Sequence, residues 1–144
     1  MPYNSGNAAA ELVTLLQALP GMGSVQIGSP ESVGTRVGAY VTLGSQQDGH
    51  KTTGTTQRET RFFVMLAYRV DGAETTAETT LMSLADGFMA AINADKTLNG
   101  TVVNAVANSQ AADEPEYQMR AGKEYREYPI IVTVTQRDTY AVNP

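Results

Sequence analysis

The segment that decides the fold is Arg61-Phe-Phe-Val-Met-Leu-Ala-Tyr-Arg-Val70. From Phe62 onward every second residue is apolar or aromatic, which is the two-residue period of a strand. The intervening positions also have an apolar centre, at Phe63, Met65 and Ala67. We therefore expect a central strand that is covered on both faces.

A polar stretch lies before this strand: Gly44-Ser-Gln-Gln-Asp-Gly-His-Lys-Thr-Thr-Gly-Thr-Thr-Gln-Arg-Glu59. The residues that precede it, Val37 to Leu43, alternate as a half-buried strand does. Neighbouring strands are usually joined by about two to five residues, and a longer connection is typically functional or disordered. The pattern therefore predicts a long polar loop at 44–59 that is mobile in the free subunit and is the main working part of the protein.

Two helices are predicted. Asn7 is the expected N-cap of the first, which runs to about Leu19 and is ended by the following Pro-Gly pair. The second begins at a capping-box pattern, Thr75-Thr-Ala-Glu78, and its apolar stripe continues to Ile92. It should lie across the sheet. A polar exit follows, in which Gly100 is suited to a positive φ angle.

The remaining strands are short alternating segments, expected at Val25–Ile27, Thr101–Ala107, Tyr117–Met119 and Glu124–Arg137. Pro129 within the last one indicates an edge position or a bulge, because proline cannot donate a ladder hydrogen bond. A short tail is expected from about Thr139. This order of elements predicts a single α+β domain over residues 1–144, with a mostly antiparallel sheet packed by one central helix plus an N-terminal helix.

Composition narrows the function classes. A chain of 144 residues suits one domain, and the absence of cysteine excludes disulfides, thiolate metal sites and cysteine nucleophiles. The net charge is −5, and the ten Lys and Arg residues are scattered along the chain, so nucleic-acid recognition is not expected. Neither a signal peptide nor an apolar run of about 18 residues is visible, so we expect folding in the cytoplasm where the chain is made and no membrane partner.

Few residues of the chain suggest catalytic chemistry. His50 is the only histidine, and its polar surroundings favour a solvated residue over an acid–base catalyst. Asp113, Glu114 and Glu116 cluster around a proline but lack the spacing of a calcium loop, which favours solvated charges. The glycines between Gly21 and Gly28 follow a helix, the reverse of a dinucleotide-binding fingerprint. We therefore predict a protein that is not an enzyme and has no catalytic residues, cofactor or metal.

Several local features add a family resemblance. They are Leu19-Pro-Gly21, Ala39-Tyr-Val-Thr-Leu43, the 61–68 strand, Asp95-Lys-Thr-Leu-Asn-Gly100 and Tyr125-Arg-Glu-Tyr-Pro-Ile-Ile-Val-Thr-Val134. In this order, over about residues 7 to 138, the chain resembles the tail terminator (tail completion) proteins of long-tailed bacteriophages. None of these motifs is catalytic, so the resemblance lies in the architecture.

This resemblance implies a structural virion protein at the head-proximal end of the tail. It would form a homo-oligomeric ring, a hexamer, that caps the tube, ends its polymerisation and offers a surface for head attachment. The implied partners are the major tail tube protein and a head–tail connector or stopper protein, and DNA would pass through without specific binding. The alternatives are another neck or tail-tube component with a similar core, or a small-molecule-binding regulatory α+β domain.

Candidate contact residues lie in the polar loop, at its base and in the closing strand. They are Gln46, Gln47, Asp48, His50, Lys51, Gln57, Arg58, Arg61, Glu124, Arg126 and Tyr128. The candidate lumen-facing acids are Asp48, Asp113, Glu114 and Glu116, which would repel phosphate; exposure on the outer surface is an equal alternative.

Overall fold

The computed structural model describes residues 3–30, 35–52, 54–70, 74–109 and 116–139. The elements within these ranges are α1 (Ser5–Gln17), β1 (Ser24–Ile27), β2 (Val37–Thr52), β3 (Thr55–Arg69), α2 (Glu74–Ala94), β4 (Asn104–Ser109), β5 (Glu116–Arg120) and β6 (Lys123–Thr139). The strands form one six-stranded sheet in the order β1-β2-β3-β6-β4, and β5 pairs with the early part of β6. All pairs are antiparallel except β1 with β2. The predicted α+β class is confirmed.

The core lies on one face of the sheet. Phe62, Val64 and Leu66 of β3 are buried there, together with Leu12 of α1 and Phe88 of α2. Strand β3 is central, as expected, because β2 and β6 flank it. The expectation that both of its faces are covered holds only in part: on the other face Ala67 is fully buried, whereas Phe63 is 41% exposed. Both described helices pack on the first face, so no described helix covers the second.

Both helices form with small changes in their boundaries. The N-cap of α1 is Asn4, not Asn7: the Asn4 side chain accepts a hydrogen bond from the Asn7 backbone N–H at 3.0 Å. Asn7 is the residue whose amide is capped, because the side chain of a capping residue accepts a hydrogen bond from the backbone N–H two or three residues further along the chain. The predicted stripe of α2 is buried. Gly100 has a φ of 80°, which confirms the left-handed exit.

The predicted polar loop is wrong. Residues 44–52 continue β2 and residues 55–59 begin β3, and the two strands meet at a tight turn containing Gly54, whose φ is 85°. Thr139 at the end of β6 pairs with Thr55 of β3, at the edge of β3 that faces away from β2. Residues 46–52, 55–60 and 135–139 therefore form a three-stranded extension of the sheet, here called the arm. Strands form in the arm without apolar alternation because backbone hydrogen bonds to two neighbours hold the middle strand.

The end of the chain also departs from expectation. Strand β4 lies at Asn104–Ser109, later than predicted. Strand β6 as a whole is an inner strand, but at Pro129 it pairs on one side only, with β3, so the edge position predicted for this proline holds locally. Pro129 is tolerated because it falls between the stretch of β6 that pairs with β5 and the stretch that pairs with β4. Thr139 belongs to β6, and residues 140–144 of the predicted tail lie outside the described residues.

Candidate functional site: the arm, the β5 hairpin and an apolar groove

The arm is aligned by a cross-strand ion pair. Asp48 lies opposite Arg58, whose Nε and Nη2 donate to Oδ1 and Oδ2 of the carboxylate at 2.6 and 3.0 Å. This hydrogen bonding holds the pKa of Asp48 below its ordinary value. Because the pair is exposed to solvent, its net contribution to stability is small, and its role is to select the register of the two polar strands.

The N-terminal segment fastens the arm to the body. The Tyr3 hydroxyl donates to Thr56 Oγ1 at 2.7 Å, and the Arg58 guanidinium lies 4.5 Å from the centre of the Tyr3 ring. Ser5, at the start of α1, donates to Gln136 of β6 and accepts from Gln46 of β2. The arm is therefore oriented by hydrogen bonds and one cation–π contact, since it has no apolar side chains of its own.

The predicted contact residues fall into two groups. The β2–β3 register brings together those from Gln46 to His50 with Gln57 and Arg58, while Lys51 and Arg61 follow on the same two strands outside that register. The others are on β6, where Arg126 pairs with Tyr68. Tyr68 is ten residues along β3 from Arg58, which corresponds to about 30 Å of strand. The two groups lie at opposite ends of the sheet.

Within the second group, Arg126 is engaged inside the subunit. Its side chain is largely buried, its Nε contacts Glu78 Oε1 of α2 at 2.6 Å, and its Nη1 donates to the Glu127 carbonyl. Glu124 is exposed, and the Tyr128 hydroxyl contacts Ser109. Arg126 therefore ties the start of α2 to the sheet.

Only one of the acids in the 113–116 cluster can be placed. Glu116 is exposed at the start of β5, while Asp113 and Glu114 lie outside the described residues. The described ranges contain no group of three or more His, Cys, Asp or Glu side chains placed to hold a metal. Within the same ranges, no helix is both long enough and apolar enough to cross a membrane.

The structure contains a buried ionic network that the sequence analysis missed. Glu127 of β6 is 1% exposed; it accepts from the Tyr40 hydroxyl at 2.9 Å and from Arg120 Nη2 at 3.0 Å. Arg120 also donates to the Pro30 carbonyl at 2.7 Å and to Ser29 Oγ at 3.2 Å. Burial, together with the hydrogen bond and the charge of Glu127, raises the pKa of Tyr40 to about 12. The network thus holds the β5–β6 hairpin against the segment that follows β1.

No sequence signal pointed to this network. Tyr40 and Glu127 are 87 residues apart, and each looks like an ordinary polar position in an alternating strand. Only the order of strands in the sheet brings them together.

Large apolar side chains are exposed at several places among the described residues, including a groove beside α1 and strand β5. A groove of about 200 Å³ runs between α1 and the edge of β1 and β2, and Ile27 and Leu43 on its rim are 59% and 58% exposed. On β5, Tyr117 is 41% and Met119 is 64% exposed. The groove is smaller than the roughly 300–1,000 Å³ typical of small-molecule sites, so it gives little support to a ligand-binding domain.

Comparison with known proteins gives a match at the level of fold. No family model matches the sequence, and no curated protein matches it. Among solved structures, the chain is similar to the sheath/tube terminator of an extracellular contractile injection system, PVC, in its extended state. The TM-score is 0.51 at 9% identity, and the match covers 100% of this chain and 62% of that protein. At this identity the likeness concerns the fold, and the chain spans under two thirds of the length of that protein.

Proposed function

We propose that this protein is a structural subunit that forms a ring at the end of a tail tube and ends its polymerisation. The observation that carries the proposal is the fold match to a sheath/tube terminator along the whole chain. The resemblance to phage tail terminators in the sequence points to the same role. That the protein has no enzymatic activity remains a prediction, supported by a neighbour that is a structural component.

The finer features of the role belong to the same proposal. The ring is a hexamer, it sits at the head-proximal end of a virion tail, and it meets the major tube protein on one side and a head connector or stopper on the other. The arm is the segment we assign to contacts with neighbouring subunits or the tube. It suits this role because it extends the sheet beyond the core and presents polar side chains from three strands.

A tube-capping assay tests the proposal. Purified protein is added to tube protein that is polymerising, and the tube lengths are measured by electron microscopy. Capping predicts shorter tubes with the added protein at one end. If the protein itself polymerises into tubes, it is a tube component; if it leaves tube length unchanged and never binds tube ends, the proposed function is wrong.

A matched pair of arm variants separates arm contact from arm folding. Exchanging the two charges, Asp48→Arg with Arg58→Asp, keeps a cross-strand ion pair but inverts the surface pattern of the arm. We expect weaker capping. Because the exchange also removes the Arg58 guanidinium from the Tyr3 ring, Tyr3→Ala, which loses the same contact but keeps both charges, shows how much of the effect comes from arm orientation. Asp86→Arg, a charge reversal at an exposed position of α2, is the control and should cap normally. Normal capping by the exchanged variant would remove the arm from the contact surface.

The same proposal includes passage of DNA without adhesion. The acidic residues Asp113, Glu114 and Glu116 are proposed to face the channel, where they repel phosphate. Replacing all three with lysine should raise the affinity for duplex DNA in a salt-dependent way without preventing ring formation. Micromolar DNA binding by the unmodified protein at physiological salt would contradict the passive channel.

A further inference from the structure

Strand β2 is irregular where the body of the sheet meets the arm. Its register with β3 shifts between Leu43 and Gln46. On the β3 side only Arg61 lies in this interval, so Gly44 and Ser45 of β2 together face one residue. Two residues opposite one form a β-bulge, which bends its strand and increases the local twist of the sheet. Strands β3 and β6 pair across the same point without a shift, so the bend originates in β2.

The backbone at Gly44 has no room for a side chain. A Cβ atom at this position would lie 2.8 Å from Cε2 of the Phe63 ring and 2.9 Å from the Arg61 carbonyl oxygen. Both distances are shorter than van der Waals contact, so glycine is what allows β2 to come this close to β3. At Gly49, further along the same strand, a Cβ atom would meet nothing within 4 Å. The close approach is therefore specific to the bulge.

The Phe63 ring fills the place that a side chain at position 44 would occupy. Its Cδ2 and Cε2 atoms lie against Gly44 on the face of the sheet that no described helix covers. An aromatic ring over a strand glycine covers backbone that the glycine leaves open and pins the strand at that point. The 41% exposed Phe63 thus has a packing role within its own subunit, as a wedge on the bulge.

Polar side chains hold the opposite face of the same junction. Gln46 follows the bulge directly; its Nε2 donates to Ser5 Oγ of α1 at 3.0 Å and lies 3.5 Å from Thr60 Oγ1. The Ser5 hydroxyl donates in turn to Gln136 of β6 at 3.4 Å. Thr60 and Gln136 are buried, at 0% and 4% exposure. The bulge therefore brings Gln46 to a fixed point on α1, and the junction is packed on both faces.

We propose that the bulge aims the arm, and that Gly44 and Phe63 are positioning residues which set the angle between the arm and the body of the sheet. Neither residue has to touch a neighbouring subunit for this role. Both act through the direction in which the arm presents its polar side chains. The inference rests on the proposed role of the arm in contacts, but the angle itself can be measured in the free protein.

Removal of one bulge residue tests the proposal. Deletion of Ser45 leaves Gly44 alone opposite its partner on β3, so every arm residue keeps its own partner and its face of the sheet. The chain has no cysteine, so spin labels can be attached at Arg137→Cys in the arm and Ser83→Cys on α2, both exposed positions. We expect the distance between the labels to change by several ångström. The affinity for tube ends should fall by about tenfold, because a misdirected arm loses part of its contact.

Substitutions at the bulge test the same angle without a deletion. Gly44→Ala places a methyl group against the Phe63 ring and a backbone carbonyl, so β2 must move away from β3 and the label distance should shift. Adding Phe63→Ala removes the ring and should reverse part of the shift, since the carbonyl remains in the way. Phe63→Tyr keeps the ring and should give the wild-type distance. Gly49→Ala, in open space on the same strand, is the matched control and should change neither the distance nor capping.

The angle and the function fail in different ways. An unchanged label distance after deletion of Ser45 or in Gly44→Ala overturns the proposal. A distance distribution that broadens without shifting would show that the bulge holds the arm together and does not aim it, which also overturns it. A shifted distance with normal capping would show that the direction of the arm does not serve the contact. A wild-type protein that caps no tubes removes the proposed function, whereas the label distances still decide whether the bulge sets the angle.

Discussion

Replacing Glu127 with glutamine should destabilise the protein strongly. The carboxylate lies between the Tyr40 hydroxyl and Arg120 and is 1% exposed, while the Arg120 side chain is 14% exposed. Glutamine keeps the size and one accepting oxygen but removes the negative charge. Loss of one partner from a buried ion pair costs about 3–5 kcal/mol, and the partial exposure of Arg120 favours the lower value, about 3 kcal/mol. For a domain of this size that corresponds to a melting temperature lower by about 10 °C.

Urea unfolding followed by far-ultraviolet circular dichroism measures the change, since the chain has no tryptophan. Arg120→Met leaves the Glu127 carboxylate buried without its cation and should cost a similar amount. The double variant should cost less than the sum of the two single ones by about 0.5–3 kcal/mol, because the side chains are in contact. Glu124→Gln, an exposed acid on the same strand, should stay within about 0.5 kcal/mol of the wild type. A wild-type midpoint for Glu127→Gln, or strict additivity, would refute the reasoning.

Three further outcomes are expected. Phe88→Ala should lower the free energy of unfolding by about 3–5 kcal/mol, because the ring is fully buried. Met82→Ala, at an exposed position of the same helix, should change it by less than about 0.5 kcal/mol, and equal losses would contradict the packing of α2. Tyr3→Ala should speed amide hydrogen exchange in the arm and leave exchange in β4 unchanged, and Tyr3→Phe should have an intermediate effect because it keeps the ring over Arg58. Equal exchange in the wild type and both variants would show that the N-terminal segment does not hold the arm. The pKa of Tyr40 rises from 10.0 to about 12 on folding, so its protonated form contributes stability that is complete below pH 10 and is lost between pH 10 and 12. Tyr40→Phe should flatten this part of the plot of stability against pH, and an unchanged plot would contradict the raised pKa of Tyr40.

The strongest sequence predictions came from apolar periodicity. The stripe of α2 and the alternation of β3 both identify positions that the structure buries, since a helix or strand against a core must repeat its apolar residues with its own period. The same signal misled at the second face of β3. Phe63 and Met65 are apolar, but no described helix covers them, and periodicity cannot report how many layers a sheet has.

The candidate site was predicted only in part. The polar stretch was predicted to be a loop, whereas the structure forms two paired strands from it, with Asp48 opposite Arg58. Its description as a loop failed because the rule that strands alternate applies where one face is buried. Arg126 was expected at a contact surface, but its guanidinium is held by Glu78.

The sequence by itself determined the elements, because propensity, capping and periodicity act over a few neighbouring residues. It placed both helices and the central strand, and it restricted the chemistry through the absence of cysteine and the single histidine. Only the tertiary structure decided which distant residues meet. The arm exists because β2 and β6 pair with both edges of β3, and the Tyr40–Glu127–Arg120 network exists because β5 folds back on β6. Those arrangements depend on strand order and on the burial of charges, which act between residues far apart in the chain and leave no local pattern.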